Sequence, residues 1–142
     1  MNSPEIIVHT DGGSRGNPGP AACGFVIEKD GKEMFKGAKF LGKVTNNFAE
    51  YSGVIVALEW LLSAKEKLAE VRDVTFILDS ELVVRQLTGV YKIKDSTLQK
   101  LALEVKSLIT KIDQKIYFKN VLRNENKEAD RLLNEELDRQ TL

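Results

Sequence analysis

Four acidic residues stand beside or inside apolar segments of this chain, where a lone charge is costly. They are Asp11 in His9-Thr10-Asp11-Gly12-Gly13, Glu50 in Asn46-Asn47-Phe48-Ala49-Glu50-Tyr51, Asp79 in Phe76-Ile77-Leu78-Asp79-Ser80, and Asp130 in Asn126-Lys127-Glu128-Ala129-Asp130. Oxygen donors, in a chain with 1 histidine and 1 cysteine, suit a hard cation such as Mg²⁺ or Mn²⁺ and not zinc, which prefers His and Cys. Taken singly, each acid has an ordinary structural use: an acid at a helix start caps it, and an Asp after a strand opens a turn. Taken as a set, they suggest a metal site.

The elements that must gather these acids are readable from periodicity. Glu5 to Thr10 is short and β-branched and reads as a strand ending on Asp11, with a glycine-rich loop from Gly12 to Pro20 after it. Ala22 to Glu28 and Glu33 to Leu41 read as two more strands, joined by the hairpin signal Asp30-Gly31. From Phe48 to Ala64 the period becomes helical, with Tyr51, Val54, Ile55, Leu58, Leu61 and Leu62 on one stripe. Trp60 falls off that stripe and reads as structural packing.

Val71 to Leu78 is a strand, Ser80 to Leu87 a short helix, and Leu98 to Ile112 an amphipathic helix. Lys115 to Val121 is a last strand, and Lys127 to Arg139 a last helix with Ala129, Leu132, Leu133 and Leu137 on one face. A strand after a long helix implies a parallel crossover onto the antiparallel meander. The order βββαβααβα therefore predicts an α/β fold with a mixed sheet and helices on its faces. Asp11 and Asp79 would sit at the carboxyl ends of adjacent strands, the edge where open α/β sheets place their chemistry. Glu50 would fall in the first turn of the long helix and Asp130 in the first turn of the last one, where the helix dipole favours an anion.

A length of 142 residues with 42% apolar content predicts one domain, residues 1–142. Equal numbers of basic and acidic residues, 21 of each, leave no bulk positive field for a polyanion. Cations bound to the carboxylates would make the surface more positive than this count. The single cysteine, Cys23, lies in a strand and reads as core filling in a reducing compartment. The stretch Met1-Asn2-Ser3-Pro4 has no basic leader or apolar core, and no apolar run approaches the roughly 20 residues that span a bilayer. The expectation is a cytoplasmic protein, a monomer without membrane contact.

The words T-D-G-x-x-x-x-N-P-G, T-N-N-x-x-E, L-D-S and N-x-x-A-D, met in this order, closely resemble ribonuclease H of type 1, from about Glu5 to Leu137. The resemblance implies a ribonuclease H-like fold with a five-stranded mixed sheet, three strands antiparallel and two parallel. It also implies an enzyme: an endoribonuclease that hydrolyses the RNA strand of RNA–DNA hybrids by two-metal catalysis, leaving 5′-phosphate and 3′-hydroxyl ends. Asp11, Glu50, Asp79 and Asp130 would hold two ions, Mg²⁺ or Mn²⁺, with Asp11 shared between them. The ions would lie about 3.5–4 Å apart, activating water on one side of the phosphorus and stabilising the leaving oxygen on the other. Ser14, Asn17, Thr45, Asn46 and Asn47 match hybrid-contacting positions, where small hydrogen bonders read 2′-hydroxyls and groove shape. Asn46 or Asn47 could equally cap the helix that carries Glu50.

Three departures from the family pattern stand out. Where many relatives have a histidine ten residues before the last acid, this chain has Asn120. The lone His9 reads as a core or edge residue roughly 6–7 Å down the strand from Asp11. Arg123 could touch the scissile phosphate or compensate for that histidine, or be a solvated loop residue. Glu81 stands where some relatives have glutamine and could help attract metal. The basic, Trp-rich handle of longer bacterial enzymes is absent, which marks the compact form. In its place Lys92 and Lys94, alternating with Tyr91 and Ile93, could present two charges to the DNA backbone or be a solvated connector. Without the handle, a broader nuclease that also cuts double-stranded RNA is the main rival. A non-catalytic hybrid-binding module is disfavoured because none of the four acids is lost.

Overall fold

The computed structural model of the chain describes residues 4–141; Met1 to Ser3 of the N-terminal stretch read above, and Leu142, lie outside the described residues. Three strands, β1 (Glu5–Ser14), β2 (Gly19–Lys29) and β3 (Lys32–Val44), form an antiparallel meander. Helix α1 (Asn46–Ser63) then carries the chain to β4 (Asp73–Leu78), which lies parallel to β1. Helices α2 (Glu81–Leu87) and α3 (Ser96–Thr110), β5 (Lys115–Asn120) and α4 (Lys127–Gln140) complete the order. The sheet runs β3-β2-β1-β4-β5, so β1 is its centre. This is the expected βββαβααβα arrangement, with three antiparallel and two parallel strands. Among the described residues no helix is long and apolar enough to cross a membrane.

The main core lies between the sheet and α1, with α3 covering the helix from outside. The close approach of α1 to the sheet explains burial beyond the predicted stripe: Ala49 lies against Gly12 of β1, and Gly53 against Thr10, Asp11 and Cys23. Helix α4 packs on the other face, where Leu133 and Leu137 meet Ala22. Trp60 stacks on Phe35 with ring centroids 4.9 Å apart, as packing requires. Cys23 is fully buried, and burial pushes its thiol up to about 12. Asp30 and Gly31 both have positive φ, at 52° and 82°, as a tight two-residue hairpin demands.

One expectation needs correction. β1 does not end on Asp11; it continues through Gly12 and Gly13 to Ser14, paired with Ala21 to Gly24 of β2. The glycines are strand residues here because a helix lies against the sheet at this point. A Cβ built on Gly12 would come within 2.1 Å of the Ala49 backbone in α1, and one on Gly24 within 2.6 Å of the Ala129 carbonyl oxygen in α4. Asp11 is the β1 residue paired with Gly24. Both helices therefore reach the sheet closely beside the same acid.

Gly12→Ala should consequently destabilise the protein by about 3 kcal/mol or more, the upper part of the overpacking range. Gly13→Ala, whose Cβ would sit at an ordinary 3.5 Å from Leu133, should change stability far less. Urea unfolding of the two variants checks this, and equal losses would contradict the close-approach account.

Candidate active site

Asp11 lies near the end of the central strand, and its register brings it level with Asp79. Strands β1 and β4 pair in parallel up to His9 with Ile77, and two further residues on each strand reach the two acids. Asp79 directly follows β4, and Ser80 caps α2 behind it by accepting a hydrogen bond from Val83 N at 3.2 Å. Glu50 comes from α1 and Asp130 from the first turn of α4. Carboxylate oxygens of Asp11, Glu50 and Asp79 all lie within 4.8 Å of one another. Asp130 stands outside that trio but lines the same cavity of about 480 Å³ with all three. All four sequence-predicted acids are thus brought together.

Glu50 does not occupy the first helical turn. The helix begins at Asn46, two residues earlier than periodicity suggested, and its first turn holds no acid. The cap is Thr45, whose Oγ1 accepts from Phe48 N at 3.2 Å. Neither asparagine caps. Asn46 Oδ1 instead accepts from Ser14 N at 2.8 Å and Ser14 Oγ at 3.0 Å, while Asn17 Oδ1 accepts from Asn46 N at 3.0 Å. These bonds tie the β1–β2 turn to the start of α1. Asn17, Thr45, Asn46 and Asn47 line a second cavity of about 700 Å³, and Asn46 also lines the first, so the two adjoin at that residue.

The acids are electrostatically strained. Burial, with repulsion from Asp79 and Asp130, raises Asp11 from 3.8 to about 8, against one favourable bond from Gly12 N at 2.9 Å. Burial, with repulsion from Asp11 and Asp79, raises Glu50 from 4.5 to about 9. Asp79 is raised too, chiefly by burial, while the Arg123 guanidinium pulls it the other way. Glu50 Oε2 is buried with no hydrogen-bond partner. A buried, orphaned carboxylate oxygen facing two more carboxylates fits a hard divalent cation, which supplies the missing charge to every member at once.

Other residues fall as follows. Arg123 lines the acidic cavity, with its side chain 88% exposed and Nε 3.9 Å from Asp79 Oδ2. Asn120 does not line it. Glu81 is drawn away to Arg85 on its own helix at 2.9 Å, so it adds nothing to the acidic group. Lys92 and Lys94 are exposed on the connector between α2 and α3 and line neither cavity. His9 is half-buried between Glu28, 3.0 Å from its Nε2, and Asn126 Oδ1, 3.3 Å from its Nδ1. Sequence reasoning gave no role to Asn126, yet it is 1% exposed and donates to the Thr10 carbonyl at 2.8 Å, fastening the start of α4 to β1. It also missed Asn134, which lines the acidic cavity. The i, i+4 spacing from Asp130 was the signal available for that residue.

A family model described as "Reverse transcriptase-like" matches residues 9–136. The ribonuclease HI of Halobacterium salinarum is 40% identical over 134 residues, covering 94% of this chain. The bifunctional protein Rv2228c of Mycobacterium tuberculosis is 35% identical over 136 residues. The chain spans 64% of the former and 36% of the latter. Among solved structures, LC11-RNase H1 in complex with an RNA/DNA hybrid superposes with a TM-score of 0.91 at 39% identity, over 96% of this chain and 99% of that one. The fold and the acidic edge define a ribonuclease H-like protein. The chain belongs to the ribonuclease H1 family.

The raised acids carry a pH signature. In the metal-free native state Asp11 and Glu50 hold protons up to about 8 and about 9, whereas the unfolded chain releases them near 3.8 and 4.5. Their contribution to stability is full below the lower values and lost as pH rises through the upper ones. The melting temperature of the metal-free protein should therefore fall between about pH 5 and about pH 9, and Glu50→Gln should flatten that fall. A melting temperature that rises over this window would contradict the strained cluster.

Proposed function

We propose that this chain is an endoribonuclease that hydrolyses the RNA strand of RNA–DNA hybrids, and that residues 1–142 form one domain carrying the whole site. The observation that carries the reading is the Asp11–Glu50–Asp79 group, with its buried and orphaned Glu50 oxygen, adjoining a second cavity lined by neutral hydrogen bonders. Its relative LC11-RNase H1, solved with an RNA/DNA hybrid, supports the substrate class.

Asp11, Glu50, Asp79 and Asp130 would hold two divalent ions, Mg²⁺ or Mn²⁺, with Asp11 the ligand common to both. When bound, such ions activate the attacking water and stabilise the leaving oxygen, giving 5′-phosphate and 3′-hydroxyl ends. The chain's own residues do the rest. The bond from Gly12 N occupies Asp11 Oδ1 and fixes the carboxylate's orientation. Arg123, exposed at the cavity beside Asp79, can hold a phosphate oxygen by a charge-assisted bond. Asn17, Thr45, Asn46 and Asn47, with Ser14, would contact the hybrid backbone without reading bases. Lys92 and Lys94, exposed on the connector between α2 and α3 and outside both cavities, would add charge against the DNA strand only where a bound hybrid extends beyond those cavities. A monomer is sufficient, since all these residues come from one chain.

A strand-labelled hybrid incubated with Mg²⁺, with Mn²⁺ and with EDTA, beside the same RNA in an all-RNA duplex, tests the proposal. Cutting is expected in the RNA strand of the hybrid alone, and it should stop in EDTA. Asp11→Asn and Asp79→Asn should each lose about 100-fold or more in rate with an unchanged circular dichroism spectrum. Cutting of both duplexes would favour the broader nuclease; binding without cutting would overturn the assignment as an enzyme.

A further inference from the structure

Asp130 is the acid outside the close trio, and it arrives on a helix from the opposite face of the sheet. A polar chain that begins in the β1–β2 turn reaches its carboxylate. Asn134, one helical turn beyond Asp130, donates from Nδ2 to the Asp130 carbonyl at 2.9 Å and to Asp130 Oδ1 at 3.3 Å. Asn134 Oδ1 accepts in turn from Arg15 Nη2 at 3.3 Å. That nitrogen also lies 2.7 Å from Asp138 Oδ1 and 3.4 Å from the Asn134 carbonyl. A guanidinium can only donate and an ionised carboxylate can only accept, so the amide of Asn134 has one orientation that serves both neighbours. Arg15 and Asn134 both line the acidic cavity.

We propose that Asn134, oriented by Arg15, is a positioning residue for Asp130: it engages Oδ1 and leaves the second oxygen for the cation that the cluster would hold. This inference rests on the reading of Asp130 as a metal-site acid. Partners that orient a ligating carboxylate from behind commonly change metal affinity by 10- to 100-fold when removed. Asn134 and its bonds are partly solvated, which places the expected effect near the lower end.

Mn²⁺ binding to the full chain by titration calorimetry, without nucleic acid, tests the proposal in the wild type, Asn134→Ala, Arg15→Ala, the double variant and Asp130→Asn. Asn134→Ala should weaken Mn²⁺ binding about tenfold with no loss of thermal stability, since alanine favours the helix. Arg15→Ala should weaken it too, and the double variant should be no worse than Asn134→Ala, because both act through one chain of bonds. Loss of a positive charge near acids would by itself tighten cation binding, so weakening on Arg15→Ala reports positioning. If Asp130→Asn weakens binding but Asn134→Ala does not, or if the two single losses add, the positioning role is overturned. If Asp130→Asn binds Mn²⁺ like the wild type, the reading of that acid fails and the positioning role falls with it.

Discussion

The architecture depends on two helices lying closer to the sheet than any side chain would permit. Gly12 admits the backbone of α1, and Gly24, its near neighbour on the paired strand, admits that of α4. Each approach takes place beside Asp11, so Glu50 is lowered from one face and Asp130 from the other onto the edge where β4 already delivers Asp79. A methyl group at either glycine would have to push a helix outward. Such a shift is small for packing but large for a site whose members lie within a few ångströms of each other.

That geometry runs against electrostatics. Three carboxylates within 4.8 Å repel, and that repulsion together with burial favours the protonated forms of Asp11 and Glu50. A cluster of this kind is maintained by the packing around it and not by its own contacts. Around it are hydrophobic cover from α1 and α3, the Asn126 link from Thr10 to α4, and the Ser14, Asn17 and Asn46 bonds that pin the turn to the helix start. A divalent cation held by the proposed site would replace the protons and recover the stabilisation spent on like charges, which would couple folding, pH and metal in one site.

Much of this was legible beforehand because it depends on local pattern. The element order followed from period changes, the Asp30-Gly31 hairpin from the need for positive φ, and the placing of Asp79 and Asp130 from the strand end and the helix start that carry them. What was not legible is tertiary. Gly12 and Gly13 resemble turn residues until a helix is placed over them. Asn46 resembles a cap until Ser14 claims its side chain and Thr45 supplies the cap, which moves Glu50 out of the first turn. Glu81 resembles a fifth acid until Arg85 takes it. The Arg15–Asn134–Asp130 chain joins a turn to a helix more than 100 residues away (119 between Arg15 and Asn134), a proximity no local spacing encodes.

The most direct test of the central claim, that packing forces the acids together and raises their proton affinity until a cation replaces the protons, is the count of protons released when the metal-free protein binds Mn²⁺ near pH 7, read by calorimetry in buffers of different ionisation enthalpy. Net proton release, growing smaller as pH rises toward about 9, is the predicted result. Binding without proton release would mean that Asp11 and Glu50 are already ionised in the metal-free protein, and would contradict the account.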